Sequence, residues 1–209
     1  TIGGNYFQDE GYRQGEITDR FRWNLNSKYY SKIYSGLTYG LNANFLYQST
    51  GSAIVWNGLD QAYIPLNNEI TTTNGDTYNI DPHIQYVNEN NTLDLKTRYL
   101  KVINDNSTNG NDNDQDNESE TFFSDIKWQR KLPKINLVFT SGTTNELTLA
   151  SSDLFQGNNY RQNHAIFTQF DKKIGRLNVS LGGRYEYFKV GSEQKYHING
   201  DSINKYVSD

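Results

Sequence analysis

Apolar and polar side chains alternate with a period of two along most of this chain, in runs close to the roughly 9–11 residues that a tilted membrane-crossing strand needs. From 17 to 30 the odd positions carry Phe21, Trp23, Leu25 and Tyr29, and the even ones Arg20, Arg22, Asn24, Asn26 and Lys28. From 37 to 48, Leu37, Tyr39, Leu41, Ala43, Phe45 and Tyr47 alternate with Thr38, Gly40, Asn42, Asn44 and Gln48. The pattern returns at 78–87, with Ile80, Pro82, Ile84 and Tyr86 against Asp81, His83 and Gln85. Pro82 makes that strand less regular, because proline donates no ladder hydrogen bond. At 92–103, Leu93, Leu95 and Tyr99 oppose Asp94, Lys96 and Arg98; at 121–130, Phe122, Ile126 and Trp128 oppose Asp125, Lys127 and Gln129. Three more strands are predicted: 135–142 with Leu137 and Phe139 on one face; 161–171, whose faces the pattern does not assign; and 176–188. In the last, Leu177, Val179, Leu181, Tyr185 and Tyr187 alternate with Asn178, Ser180, Arg184 and Glu186. Each strand whose faces the pattern assigns has one greasy and one wet face.

The links between these strands fall into two alternating kinds. Short turns are expected at 31–36, 88–91, 131–134 and 172–175, and long polar loops rich in Asn, Gly, Ser or Asp at 49–77, 104–120, 143–160 and 189–209. In an outer-membrane barrel, short turns belong to the periplasmic rim and long loops to the outside. The strands are about twice the 5–6 residues usual in globular sheets. The expected fold is therefore all-β: residues 1–209 form part of a single antiparallel transmembrane β-barrel domain, as about eight consecutive strands. In that order the segment starts and finishes in outer loops, so it is expected to belong to a larger barrel. The alternative is a soluble or surface antiparallel sandwich that binds carbohydrate.

Composition narrows this picture. Only 34% of the 209 residues are apolar and mean hydropathy is −0.83, yet there are 16 Tyr, 10 Phe and 3 Trp. A barrel shows lipid only its alternate residues, so low hydropathy is compatible with full embedding. Apolar runs as short as Ala53-Ile54-Val55-Trp56 exclude a membrane-spanning helix. The net charge of −4 is spread along the chain without a basic stripe, which argues against nucleic acid as a partner. The absence of Cys removes disulfides, thiol nucleophiles and Cys-based zinc sites. There is no Met, even at position 1, and no signal peptide, so the segment reads as a mature or excised piece.

Three stretches carry a resemblance. Gly11-Tyr12-Arg13-Gln14-Gly15-Glu16 before the first predicted strand, Gly40-Leu41-Asn42-Ala43-Asn44-Phe45-Leu46-Tyr47-Gln48, and Leu177-Asn178-Val179-Ser180-Leu181-Gly182-Gly183-Arg184-Tyr185-Glu186, preceded by Phe170-Asp171-Lys172-Lys173, resemble the barrels of TonB-dependent outer-membrane receptors. That resemblance implies a barrel of about 22 strands plugged by an N-terminal domain, placed in the bacterial outer membrane and energised through TonB. It implies import of a scarce small ligand: an iron–siderophore complex first, a glycan or a peptide otherwise. The implied partners are outer-membrane lipid, the plug and the remaining strands, and TonB through the part absent from this chain.

Candidate chemistry is sparse. Asp112, Asp114, Asp116 and Glu118 recur at every second residue in a polar loop that could hold calcium. Against the helix-loop-helix calcium pattern, Asn117 stands where Gly is wanted and Phe123 where the bidentate Glu belongs, so a solvated acidic hairpin is the plainer reading. Trp56, Asp60 and Tyr63, with Ile64-Pro65, could stack on the flat or sugar-like face of a ligand, or simply pack as a folded loop. Asp81 and His83 share one predicted polar face but do not make a metal site by themselves, and His164 and His197 have no visible reason to join them. Arg98, Arg184 and Glu186 belong to a set of polar-face charges of mixed sign. Such a set suits a wall that pairs with a plug or a ligand better than an ion-selective pore. No nucleophile, base and orienting group stand at a recognised spacing, so the chain is not read as an enzyme.

Overall fold

The computed structural model describes residues 1–113, 115–198 and 201–208, and the side chains of all of these but 155–157 and 193–208. Its strands are β1 (Ile2–Asp9), β2 (Ile17–Tyr30), β3 (Leu37–Ser52), β4 (Thr71–Val87), β5 (Asn91–Thr108), β6 (Asn111–Asp112), β7 (Asn117–Leu132), β8 (Leu137–Ser152), β9 (Phe155–Ile174), β10 (Leu177–Ile198) and β11 (Asp201–Ser208). Every pairing is antiparallel and follows chain order, except that the two-residue β6 folds back on the end of β5 and the ladder passes from β5 to β7. The result is one open meander. β1 and β11 lie at its edges, and the sheet does not close on itself.

No second layer covers the sheet among the described residues. Among the described residues the buried apolar side chains are few, Ala53, Pro65 and Ala165, whereas Leu177, Leu181, Ile166 and Tyr185 are 60 to 71% exposed. The two packed sheets of a sandwich are therefore not what these residues form.

At the short-turn end, tight hairpins hold the strands in register. Gly36 sits at φ 83, where an added Cβ would meet the Val87 carbonyl oxygen at 1.9 Å, and its own carbonyl accepts from Val87 N–H at 2.9 Å. Lys131 N–H donates to Asn90 O and Lys173 N–H to Asn136 O, so each turn is also bonded to the neighbouring strand.

The strands are longer than expected, and this corrects four loops. The 49–77 link shrinks to 53–70, because β3 runs to Ser52 and β4 starts at Thr71; the 104–120 link shrinks to the β6 hairpin region between Thr108 and Asn117. The expected 143–160 loop is strand almost throughout, with only Asp153 and Leu154 between β8 and β9, and of the 189–209 loop residues 189–198 belong to β10 and 201–208 to β11. Ile2–Asp9 adds an unforeseen strand, and Pro133–Ile135 forms a 3-10 turn where a strand was expected to begin. In these stretches, such as Thr143-Thr144-Asn145-Glu146, both faces are polar. Period-two hydrophobicity is then blank, although Thr-rich backbone still pairs well.

Ladder registers show a steady shear. The hairpins at the short-turn end close on the rungs Tyr30–Thr38, Val87–Thr92, Leu132–Leu137 and Ile174–Leu177. Followed across the sheet from Tyr30 through Thr38, Gln85, Asp94, Lys127, Gly142 and Phe167, the first rung reaches Arg184, seven residues from Leu177. The hairpin ends thus climb by about one residue per strand. With a rise of about 3.3 Å per residue and strands about 4.8 Å apart, that drift corresponds to strands inclined by roughly 35° from the perpendicular to the line of turns.

Candidate functional site

The register gathers the alternating apolar residues onto one face. Phe21 faces Tyr47, Trp23 faces Phe45 and Leu25 faces Ala43; Leu95 faces Ile126, Tyr99 faces Phe122, and Phe139, Phe170 and Leu181 share a row. Ring contacts tie the set together across strands: Tyr29–Tyr39 with centroids at 5.0 Å, Phe45–Tyr78 at 5.1 Å, Tyr99–Phe122 at 5.0 Å and Phe139–Phe170 at 5.0 Å. On 161–171 the register resolves what alternation left open. Ile166 and Phe170 lie on the apolar face with Thr168, while Ala165 and Phe167 lie on the other.

Measured from each closing rung, this face is layered. Between three and eight residues from the rung, no strand from β2 to β10 places Asp, Glu, Lys or Arg on it. Aromatic rings mark the far side of that span: Phe21, Tyr47 and Tyr78 lie nine residues from their rungs, and Phe122 and Tyr187 ten. Charge resumes at or just past them, with Asp19, Asp76, Lys101, Glu118 and Glu120. There the Lys101 ammonium pairs with Glu118 at 2.5 Å and Glu120 at 3.0 Å, and these hydrogen bonds hold its amine above the ordinary lysine range.

The opposite face is mostly polar over the same span, and several of its charges pair within the sheet. Arg98 grips Asp81 with two hydrogen bonds, from Nε at 2.8 Å and Nη2 at 2.9 Å. Asp94 accepts from Gln85 at 2.6 Å and lies 3.6 Å from Lys127; Arg161 pairs with Glu146; and Arg184 lies 3.2 Å from Glu186, which also accepts from Asn163 at 2.8 Å. Asp81, His83 and Arg98 come together at a cavity of about 600 Å³, joined by Lys96, Phe123 and Glu146. The His83 ring lies over Gly40, where an added Cβ would meet its Cε1 at 2.5 Å. Neither His83 nor Lys96 has a hydrogen-bond or ion-pair partner among the described residues, so both offer polar atoms to the cavity. Arg184 and Glu186 sit on β10, away from this cluster. Lys96, Phe123 and Glu146 escaped sequence reasoning as site residues because only the register brings them beside Asp81.

Trp56 and Tyr63 meet at the long-loop end through Arg13, whose guanidinium lies 4.9 Å from the Trp56 ring and 5.2 Å from that of Tyr12; Tyr12 in turn meets Tyr63 edge-on at 6.0 Å. Gln14 N–H donates to Tyr63 O at 3.0 Å, which zips the β1–β2 turn to the 53–70 loop. Asp60 lies in the 3-10 turn Leu59–Gln61 of that loop.

The acidic residues of the expected calcium loop are dispersed. Asp112 pairs in the β6 ladder, Asp116 accepts from Asn106 N–H at 2.6 Å, and Glu118 is turned to Lys101; Asp114 lies outside the described residues, as does the side chain of His197. Among the described residues no group of three or more His, Cys, Asp or Glu could hold a metal, and no helix is long and apolar enough to cross a membrane. No protein-family model, curated protein or solved structure matches this chain.

Proposed function

We propose that this chain is part of the wall of a bacterial outer-membrane β-barrel that performs TonB-dependent uptake of a scarce small ligand. The observation that carries the membrane placement is the charge-free layer of the apolar face, which keeps a constant distance from the hairpins while the rungs themselves drift. At an inclination of roughly 35°, the six residues of that layer rise about 16 Å, which fits inside the roughly 30 Å hydrocarbon core of a bilayer. Tilted strands, aromatic girdles at both limits of an apolar band and a polar interior are the features of an outer-membrane barrel. Edge strands left bare in hydrocarbon would strand backbone donors and acceptors at several kcal/mol per group, so the proposal includes further strands of the same barrel beyond both edges.

Uptake, rather than passive diffusion, is supported by the resemblance at residues 11–16, 40–48 and 177–186. It is also supported by the self-paired, mixed-sign charges of the polar face, since an open ion-selective pore favours rings of one sign. In this reading the cavity at Asp81, His83 and Arg98 faces the lumen, and the Arg13, Trp56 and Tyr63 cluster belongs to the outer rim. The cargo proposed first is an iron–siderophore complex, with a glycan or peptide as the alternative.

Two measurements test this. Leu25→Arg or Ile126→Arg should cost roughly 2–4 kcal/mol of folding stability in lipid vesicles, and Asn24→Arg or Asn42→Arg much less. Equal losses on both faces would contradict a lumen on the polar side. For the cargo, cells lacking the parent gene should lose growth on ferric chelates as sole iron source; loss of growth on oligosaccharides or peptides instead would replace the iron reading.

A further inference from the structure

One row across the apolar face is built from short side chains. Pro82, Thr97, Ser124 and Asn145 follow one another from β4 to β8, and the row ends at His164 and Tyr187 on β9 and β10. Tyr99, Phe122 and Leu147 flank the row on one side and, with the residues from Pro82 to His164, line a hollow of about 430 Å³; Leu95, Ile126 and Ile166 stand in the next row on the other side.

Several polar atoms of this floor are engaged within it. Thr97 Oγ1 donates to Pro82 O at 3.2 Å, beside a residue that cannot donate a ladder bond of its own. Asn145 donates to Ser124 Oγ at 3.4 Å and shares a 3.0 Å hydrogen bond with His164 Nδ1, and the His164 ring stacks on Tyr187 at 6.4 Å with planes 19° apart. With those bonds satisfied, the floor can be covered by hydrocarbon without leaving them unpaired.

The shear makes the row slope. Pro82 lies five residues from its closing rung at Val87, whereas His164 lies ten from its rung at Ile174. On the membrane reading proposed above, on which this inference rests, the row descends from the interface at β9–β10 to the middle of the bilayer at β4. Five strand spacings make it about 24 Å long, and at roughly 35° it drops about 14 Å, half the depth of a hydrocarbon core of about 30 Å. At its upper end Lys189, two residues beyond Tyr187 on the same face, leans 5.6 Å from the Tyr160 ring and sets a cation beside the mouth.

We infer that this groove holds one acyl chain of an anionic membrane lipid, with the headgroup at Lys189 and the chain lying from His164 down to Pro82. The cation decides the headgroup charge, and the slope fits a chain that enters at one interface and stops at the midplane.

The test uses the protein reconstituted in phosphatidylcholine vesicles doped with a mid-chain diazirine lipid, either phosphatidylglycerol or phosphatidylcholine, with cross-links mapped by mass spectrometry. The phosphatidylglycerol probe should label Ser124 and Asn145 several-fold above the Leu25–Leu41 surface. Ser124→Phe or Thr97→Phe, which fill the floor, should abolish that excess, and Lys189→Gln should erase the preference for phosphatidylglycerol over phosphatidylcholine. Labelling no higher in the groove than at Leu25, or indifference to all three substitutions, overturns the groove while leaving the membrane placement intact. No labelling at Leu25 or Ile126 either would mean that the membrane reading has failed and taken the groove with it.

Discussion

At three points a glycine on one strand lies beneath a ring from the next. An added Cβ on Gly40 would meet the His83 ring at 2.5 Å, on Gly142 the Phe167 ring at 2.5 Å, and on Gly191 the Tyr160 ring at 2.5 Å. Rings placed over such glycines cover backbone that would otherwise be bare and help to pin the register. Gly142→Val has to push aside both Phe167 and the Ile126 carbonyl, 2.4 Å from the new atom. It should cost about 1–3 kcal/mol. Gly183→Ala meets nothing within 4 Å, so its effect should stay within about 0.5 kcal/mol. Urea midpoints in lipid vesicles separate the two, and equal losses would remove the ring-over-glycine account. None of these pairs was legible in the sequence, because a glycine's partner is known only once the register is known. The apolar identities of Phe21, Trp23, Leu25, Ile126 and Trp128 were legible, since alternation alone assigns them to one face.

Within each strand, depth should set the penalty for a misplaced charge. Ile126 lies six residues from its rung and Val179 only two, so Ile126→Arg should cost roughly 2–4 kcal/mol and Val179→Arg about 0–1 kcal/mol. A flat profile with depth would contradict the layered reading of the apolar face. Beyond the band, Lys101 serves Glu118 and Glu120 together. Because its amine is raised above the ordinary value of 10.5, the stabilisation from these pairs is fully present below that value and is lost only as pH climbs past it. Lys101→Met should therefore be less stable than the parent at pH 8, and the gap should narrow only in strong alkali; a gap already closed near neutrality would show that the amine is not held by the two carboxylates. The same region explains why strand lengths were underread. Residues 71–77, 104–108 and 143–146 are wet on both sides, and hydrophobic period says nothing about a strand with two polar faces.

For the molecule as a whole, the sequence yielded eight of the strands, their antiparallel order and a two-faced sheet, while the two outer strands, the shear and the grouping of Lys96, Phe123 and Glu146 around Asp81 depend on registers that no local pattern carries. The account's central claim is that the apolar face meets lipid, and the three Trp residues probe it directly. Trp23 lies seven residues and Trp128 four from their closing rungs on that face, while Trp56 sits in the loop at the other end. In variants that keep one Trp each, with Phe at the other two positions, lipids brominated along the acyl chain should quench the fluorescence of Trp23 and Trp128 strongly and that of Trp56 hardly at all. Aqueous iodide should give the reverse order. Trp23 and Trp128 quenched by iodide and untouched by brominated chains would contradict the membrane wall.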